Sequence, residues 1–193
     1  KTSQILQQIL RAVAHLHLGP RVCHRDIKPE NFDVHETLDM ISVKLTGFQL
    51  AFVVEDEGSR CLQSCGTVPF VAPEVLKGQR YDGMAADMWS VGVTALEVLC
   101  GPRTVDKVLG ISSEEKASKA YRRPDATYLT NLTEVFQEPT AAARILHSSC
   151  LPDATGFRLS MSPLLNSLLA VNPEDRPAAS DLATAAEHIP KGP

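Results

Sequence analysis

Residues 24–31 of this 193-residue chain read His24-Arg25-Asp26-Ile27-Lys28-Pro29-Glu30-Asn31. Hydrophobic periodicity predicts an amphipathic helix just before them, over residues 4–18, and Gly19-Pro20 ends that helix. Two short β-like segments, residues 32–34 and 41–45, come after them and predict a small hairpin. The polar octapeptide is therefore expected to form a loop between a helix and a hairpin.

The rest of the chain is predicted to be mostly helical. Residues 47–74 show no sustained period and predict a long loop, which in a compact domain is usually functional or mobile. Residues 85–100 are apolar on nearly every face, so we expect a helix in the middle of the core. Ser162-Pro163 has the signature of a helix start, and a final helix is predicted over residues 178–188.

Composition excludes some classes of function. The formal net charge is −4 and no basic stripe is visible, which argues against nucleic acid or an anionic membrane surface as the main partner. The longest apolar stretch, Val91 to Cys100, is too short to span a bilayer, and no signal peptide is visible. Five scattered Cys are typical of reduced thiols, which predicts an intracellular, cytoplasmic protein.

The octapeptide matches the catalytic loop of protein kinases, in which Asp and Asn stand five residues apart. Further landmarks follow in the order of that family: Gly66-Thr67, Ala72-Pro73-Glu74, residues 87–92 (Asp-Met-Trp-Ser-Val-Gly) and residues 172–177 (Asn-Pro-Glu-Asp-Arg-Pro). The chain thus resembles the C-terminal lobe of a eukaryotic serine/threonine protein kinase. The resemblance is close over residues 3–101, fair over 162–189 and poor over 103–160.

This resemblance implies a mainly α fold with a small β-hairpin over residues 1–193. The catalytic loop would be residues 24–31, the activation segment residues 47–74 and the central buried helix residues 85–100. The Gly-rich loop and the rest of the N-terminal lobe would precede residue 1, so the sequence is expected to be part of a longer gene product.

The resemblance also assigns roles within the catalytic loop. Asp26 would orient the attacking hydroxyl and accept its proton, and Lys28 would offset charge on the moving phosphoryl group. Asn31 would hold a magnesium ion. Contacts with ATP would come from Lys28, Glu30, Asn31 and Asp33, and Thr67 would lie at the peptide-substrate site beside Asp26 and Lys28.

Six further residues would support that site. His24 and Arg25 flank the catalytic Asp, and in such kinases the Arg often pairs with a phosphate on the activation segment. Phe48 would keep an apolar packing role. Asp87 would accept hydrogen bonds from backbone N–H groups of the catalytic loop, and Glu74 and Arg176 would form a buried ion pair.

Several positions depart from the family pattern. Gly47 stands where kinases carry the metal-binding Asp of Asp-Phe-Gly, and Gln49 stands where they carry Gly. Asp33 replaces an apolar residue under the adenine ring, so its carboxylate is either desolvated there or turned to water by a local strand shift. Gln63 stands where many kinases carry a regulatory phosphothreonine, which leaves Ser59 and Ser64 as substitutes or as ordinary loop residues.

Three interpretations follow. The first is a pseudokinase, catalytically impaired, that acts as a binding or allosteric module with a protein partner. The second is an active serine/threonine kinase fragment that transfers the ATP γ-phosphate to a protein substrate, with Asp26 as the base. The third is a kinase-derived structural fragment without a nucleotide role. The resemblance implies ATP and magnesium as cofactors, and Gly47 puts the magnesium in question.

Overall fold

The computed structural model describes residues 1–56, 58–112, 126–149, 151 and 156–189. Within these ranges the helices are α1 (Thr2–Leu18), α2 (Pro73–Leu76), α3 (Gly83–Cys100), α4 (Thr104–Val108), α5 (Ala126–Gln137), α6 (Ala141–Ser148), α7 (Phe157–Ser160), α8 (Ser162–Leu168) and α9 (Ala179–His188). The strands are β1 (Val22–Cys23), β2 (Phe32–Glu36), β3 (Ile41–Leu45) and β4 (Phe52–Val53). Short 3₁₀ turns lie at Pro29–Asn31, Phe48–Leu50 and Pro173–Asp175. The predicted class, mainly helical with one small hairpin, is confirmed.

Helix α3 forms the centre of the core. Its N-cap residue, Asp82, accepts hydrogen bonds from the backbone N–H groups of Met84 and Ala85, which explains why the helix begins two residues before the predicted start. Helices α1, α4, α6 and α8 pack around it. By length and composition α3 could cross a membrane, but 72% of it is buried inside the protein, as in the core helices of globular domains.

Helix α1 connects the core to the hairpin. Its apolar face, which includes Leu6, Ile9 and Val13, is buried, and the helix packs against α9, α3 and β3. The side chain of Gln8 donates to the carbonyl of Ile41 at 2.8 Å and accepts from the N–H of Val43 at 2.9 Å, which fixes strand β3 on the helix.

The start of α1 was predicted incorrectly. The helix was predicted to begin at residue 4, but Thr2 and Ser3 already lie within its first turn, and no side chain caps it at Lys1. Helix α8 does begin at Ser162 with Pro163 in its first turn, as predicted, because proline loses nothing where the N–H has no helical partner.

The strands form two antiparallel pairs. Strands β2 and β3 make the predicted hairpin, with Phe32 opposite Leu45 and Glu36 opposite Ile41, so β2 is two residues longer than predicted. Strand β1 pairs with β4, which brings the chain just before the octapeptide next to the start of the long loop. That loop, residues 47–74, is mostly irregular, as predicted, apart from one 3₁₀ turn, β4 and the first residues of α2.

Candidate active site

Asp26, Lys28 and Thr67 form a closed triangle of polar contacts. The hydroxyl of Thr67 donates to Asp26 Oδ1 at 2.7 Å and accepts from Lys28 Nζ at 2.7 Å. Lys28 Nζ lies 2.8 Å from Asp26 Oδ2, and both charged side chains are largely buried. The chain thus places a carboxylate acceptor and a cation together, which are parts that transfer of a phosphoryl group to an alcohol requires, and the Thr67 hydroxyl contacts both.

Asn31 connects the end of the octapeptide to Asp26. Its Nδ2 group donates to the backbone carbonyl of Asp26 at 2.7 Å and to Asp26 Oδ2 at 3.2 Å. The backbone carbonyl of Asn31 accepts from the N–H of Thr46 at 2.8 Å, so the loop is also connected to the end of β3. Because both amide protons point toward Asp26, the side-chain oxygen Oδ1 faces away from it, toward Gly47.

Gly47 lies closer to Asn31 than any other residue type could. Its backbone is left-handed, with φ 79° and ψ 41°. A Cβ atom there would lie 2.5 Å from Asn31 Oδ1 and 2.6 Å from Asn31 Cγ, well inside van der Waals contact. The amide of Asn31 therefore occupies the space that a side chain at position 47 would need.

The metal ligands expected from the family do not fit well here. Glycine at position 47 supplies no carboxylate, and magnesium prefers hard oxygen ligands in octahedral geometry. Among the described residues, no group of three or more His, Cys, Asp or Glu side chains could hold a metal ion. The predicted ligand Asn31 would offer a single neutral oxygen.

Asp87 supports the catalytic loop from the core. Its Oδ2 atom accepts from the N–H of His24 at 2.6 Å, and Oδ1 accepts from the N–H of Arg25 at 2.8 Å. These are the contacts that the sequence predicted. Oδ2 also lies 2.9 Å from Nε2 of His17, and the side chains of Asp87 and His17 are both fully buried.

His24 links the loop to the segment that contains Phe48. Its Nε2 atom lies 2.8 Å from the carbonyl of Thr46, and its ring meets the ring of Phe48 edge to face at 4.9 Å. Phe48 itself is 47% exposed, so the expected apolar packing covers only part of its ring.

Arg25 reaches from the loop to residues 50–52 and to Tyr81. Its Nε atom donates to the carbonyl of Leu50 at 2.6 Å, and its guanidinium lies 5.7 Å from the centre of the Phe52 ring. Burial by itself lowers the pKa of Arg25. A hydrogen bond with Tyr81 and the nearby thiol of Cys65 outweigh burial, so the pKa of Arg25 is raised and the cation is favoured.

The predicted ion pair between Glu74 and Arg176 is present. Arg176 Nη1 lies 2.6 Å from Glu74 Oε1, and Nη2 lies 2.8 Å from Oε2, so the pair is bidentate. The side chain of Arg176 is fully buried and that of Glu74 is 15% exposed. The pair joins the end of residues 47–74 to the segment that follows α8.

Two residues expected near a nucleotide are exposed. Glu30 lies on the surface of the Pro29–Asn31 turn. Asp33 lies in β2 directly opposite Lys44, and the strand register is regular on both sides of this pair. The regular register argues against a strand shift at Asp33, whose carboxylate is exposed next to a residue of opposite charge. Its desolvation by a bound nucleotide stays a prediction.

His17 and Tyr81 were not predicted from the sequence as residues of this site. His17 lies on the buried stripe of α1, four residues after Val13, and a polar residue on an apolar helix face indicates a buried partner. Tyr81 is buried near Cys65 and contacts residues 61–65. No pattern in the sequence points to it.

Comparisons with known proteins agree with this geometry. The family model described as "Protein kinase domain" matches residues 1–186. The chain is 41% identical over 101 residues to CBL-interacting serine/threonine-protein kinase 24 of Arabidopsis thaliana, covering 52% of this chain and 22% of that protein. It is 39% identical over 98 residues to the carbon catabolite-derepressing protein kinase of Candida tropicalis, covering 51% of this chain and 15% of that protein.

A third relative is the SNF-related serine/threonine-protein kinase of Rattus norvegicus, which is 37% identical over 94 residues, or 49% of this chain and 12% of that protein. The matched part of the chain therefore covers less than a quarter of the length of each of these relatives. The family match, in contrast, covers nearly all of it. The chain belongs to the protein kinase domain family.

Proposed function

We propose that this chain is the C-terminal lobe of a serine/threonine protein kinase-like domain in which phosphoryl transfer is impaired, and which acts as a binding or allosteric module. The observation that carries the proposal is Gly47. The family has a metal-binding Asp at this position, and here the amide of Asn31 fills the space where such a side chain would begin.

The physical argument concerns charge. Protein kinases use ATP with magnesium, and two side chains, an Asp and an Asn, bring the metal to the phosphates. Loss of the Asp removes one negative ligand from a partly buried site, where charge interactions are stronger than in water. Lys28 is then the described cation nearest to Asp26, and it can attract phosphates without a metal.

An active serine/threonine kinase is the second candidate. The contacts among Asp26, Lys28 and Thr67 support it, because they bring together the base, the cation and the substrate-side hydroxyl that transfer of the ATP γ-phosphate to a protein would use. In this alternative Asp26 is the base, Asn31 alone holds metal, and the substrate is a protein.

Magnesium is expected to contribute little to nucleotide binding by the full-length wild-type protein, and Gly47→Asp is expected to make binding depend on magnesium. Asp tolerates the left-handed backbone better than most residues, and its carboxylate restores a charged ligand. Its Cβ must displace the amide of Asn31, which holds Asp26. Turnover should therefore recover less than magnesium dependence. The measurement is nucleotide affinity over a magnesium titration.

Gly47→Ala is the matched control. It introduces the same Cβ and the same collision with Asn31 but no carboxylate, so its nucleotide affinity should remain independent of magnesium. Gly47→Asp combined with Gln49→Gly should help the segment reach the usual family shape. Strong, saturable magnesium dependence and ordinary turnover in the wild type would contradict the proposed impairment and favour the active kinase.

A further inference from the structure

Tyr81 binds residues 61–65 at several points. Its backbone and that of Cys61 form an antiparallel β-bridge with two hydrogen bonds, at N–O distances of 2.9 and 3.1 Å. Its hydroxyl donates to the carbonyl of Gln63 at 3.0 Å and lies 3.8 Å from Cys65 Sγ. Burial raises the pKa of Tyr81, helped by the nearby Cys65, so the phenol stays neutral and keeps the proton that it donates.

The same phenol adjoins the guanidinium of Arg25. Both residues line one small cavity, together with Cys65, Asp87 and Ser90. The cavity has a volume of about 10 Å³, roughly the space that one water molecule needs and far too little for a phosphoryl group. In the described part of the chain, no carboxylate lies within ion-pair distance of Arg25.

Both serines that could carry a phosphate in residues 47–74 already form hydrogen bonds within the protein. Ser64 Oγ donates to the carbonyl of Val75 at 2.9 Å, and Ser59 Oγ donates to Asp56 Oδ1 at 3.0 Å. Gln63, at the position of the regulatory phosphothreonine of many kinases, uses its backbone carbonyl to bind Tyr81. Ser59, Ser64 and Gln63 thus all contribute to the contacts described for residues 59–66.

We propose that Tyr81 is a positioning residue that holds residues 61–65 against Arg25 and the catalytic loop, so that this segment is ordered without a phosphoryl group. Thr67, two residues after Cys65, then lies where it can contact Asp26 and Lys28. The proposal rests on the assignment of residues 47–74 as the activation segment in the proposed function. It does not require phosphoryl transfer, because order of the segment is measured directly.

The test is hydrogen–deuterium exchange of the full-length protein, as isolated and after phosphatase treatment, in wild type and Tyr81→Phe. Phe keeps the ring and removes only the hydroxyl, so a role limited to packing predicts no change. We expect Tyr81→Phe to accelerate amide exchange in residues 59–66 by about three- to tenfold, the range for one lost hydrogen bond. Phosphatase should leave the wild-type exchange unchanged.

Ser64→Ala is the control for loss of a hydroxyl from the same region, because it removes the bond to Val75 and leaves Tyr81, Gln63 and Arg25 untouched. It should accelerate exchange less than Tyr81→Phe, because the Tyr81 hydroxyl contacts both Gln63 and Cys65 whereas Ser64 loses a single contact. Exchange in residues 2–18 reports whether each variant is folded. Unchanged exchange of residues 59–66 in folded Tyr81→Phe would overturn the proposal. Faster exchange of residues 59–66 in the wild type after phosphatase treatment would also overturn the proposal. This second test does not require the variant to fold. Neither result bears on whether Gly47 impairs catalysis.

Discussion

Asp87→Ala is expected to lower the free energy of unfolding by at least about 3 kcal/mol. The carboxylate of Asp87 is fully buried and serves the N–H groups of His24 and Arg25 and Nε2 of His17. Each buried group that loses its partner is destabilising by about 1–3 kcal/mol. The ring of His17 would be left without a hydrogen-bond partner among the described residues, because its Nδ1 atom has none in the wild type.

The chain contains a matched control for this prediction. Asp82 also accepts from two backbone N–H groups and lies on the same helix, but it is exposed, so water can replace its carboxylate. Asp82→Ala should cost about 0.5–2 kcal/mol, as for other N-cap residues. Chemical denaturation of both variants measures the difference. If Asp87→Ala destabilised no more than Asp82→Ala, Asp87 would not be the buried support of the catalytic loop.

Asp87→Asn tests whether the charge and acceptor geometry of the carboxylate matter, because the size of the side chain hardly changes. The amide has nearly the same volume, but it offers one acceptor oxygen, and its NH₂ group would face a backbone N–H donor or His17. We therefore expect Asp87→Asn to be strongly destabilised as well. Stability close to that of the wild type would mean that the hydrogen bonds of the carboxylate matter less than its shape.

Local features of the sequence were sufficient for much of this fold. Three elements could be predicted from short stretches of sequence, and all three are present: the loop of the octapeptide, the apolar helix at 85–100 and the helix end at Gly19-Pro20. The pair Glu74–Arg176 is 102 residues apart and could be predicted only through the resemblance to kinases. Alone, each residue would be taken for an ordinary surface charge.

Other features depend on packing that the sequence does not encode locally. The collision between Asn31 and a Cβ at position 47 requires the left-handed backbone of Gly47 and the direction of one amide. Phe48 looks like a core residue in sequence, yet its burial depends on surfaces beyond its own segment, and it is half exposed. The exposure of Asp33 could not be predicted either, because both strand registers were compatible with the sequence.

Arg176→Ala is expected to lower the free energy of unfolding by about 3–5 kcal/mol or more. All five guanidinium N–H groups are used: two bind Glu74, and three bind the carbonyls of Ala85, Ala170 and Val171. The guanidinium also lies 5.3 Å from the centre of the Trp89 ring. Arg176→Lys should recover little of this stability, because an ammonium group cannot reproduce the planar set of five donors.

Glu74→Ala should cost about 3–5 kcal/mol, because it leaves a buried guanidinium without its counter-charge. It should still cost less than Arg176→Ala, which also loses the three carbonyl contacts.

A double-mutant cycle should give a coupling energy of about 1–3 kcal/mol between the two side chains. The cycle on Arg144 and Glu138, a pair at 2.9 Å with both side chains about half exposed, is the control and should give less than about 1 kcal/mol. Equal coupling in the two cycles would mean that burial adds nothing to the Glu74–Arg176 pair. Coupling near zero for that pair would mean that it does not connect residues 47–74 to the segment that follows α8.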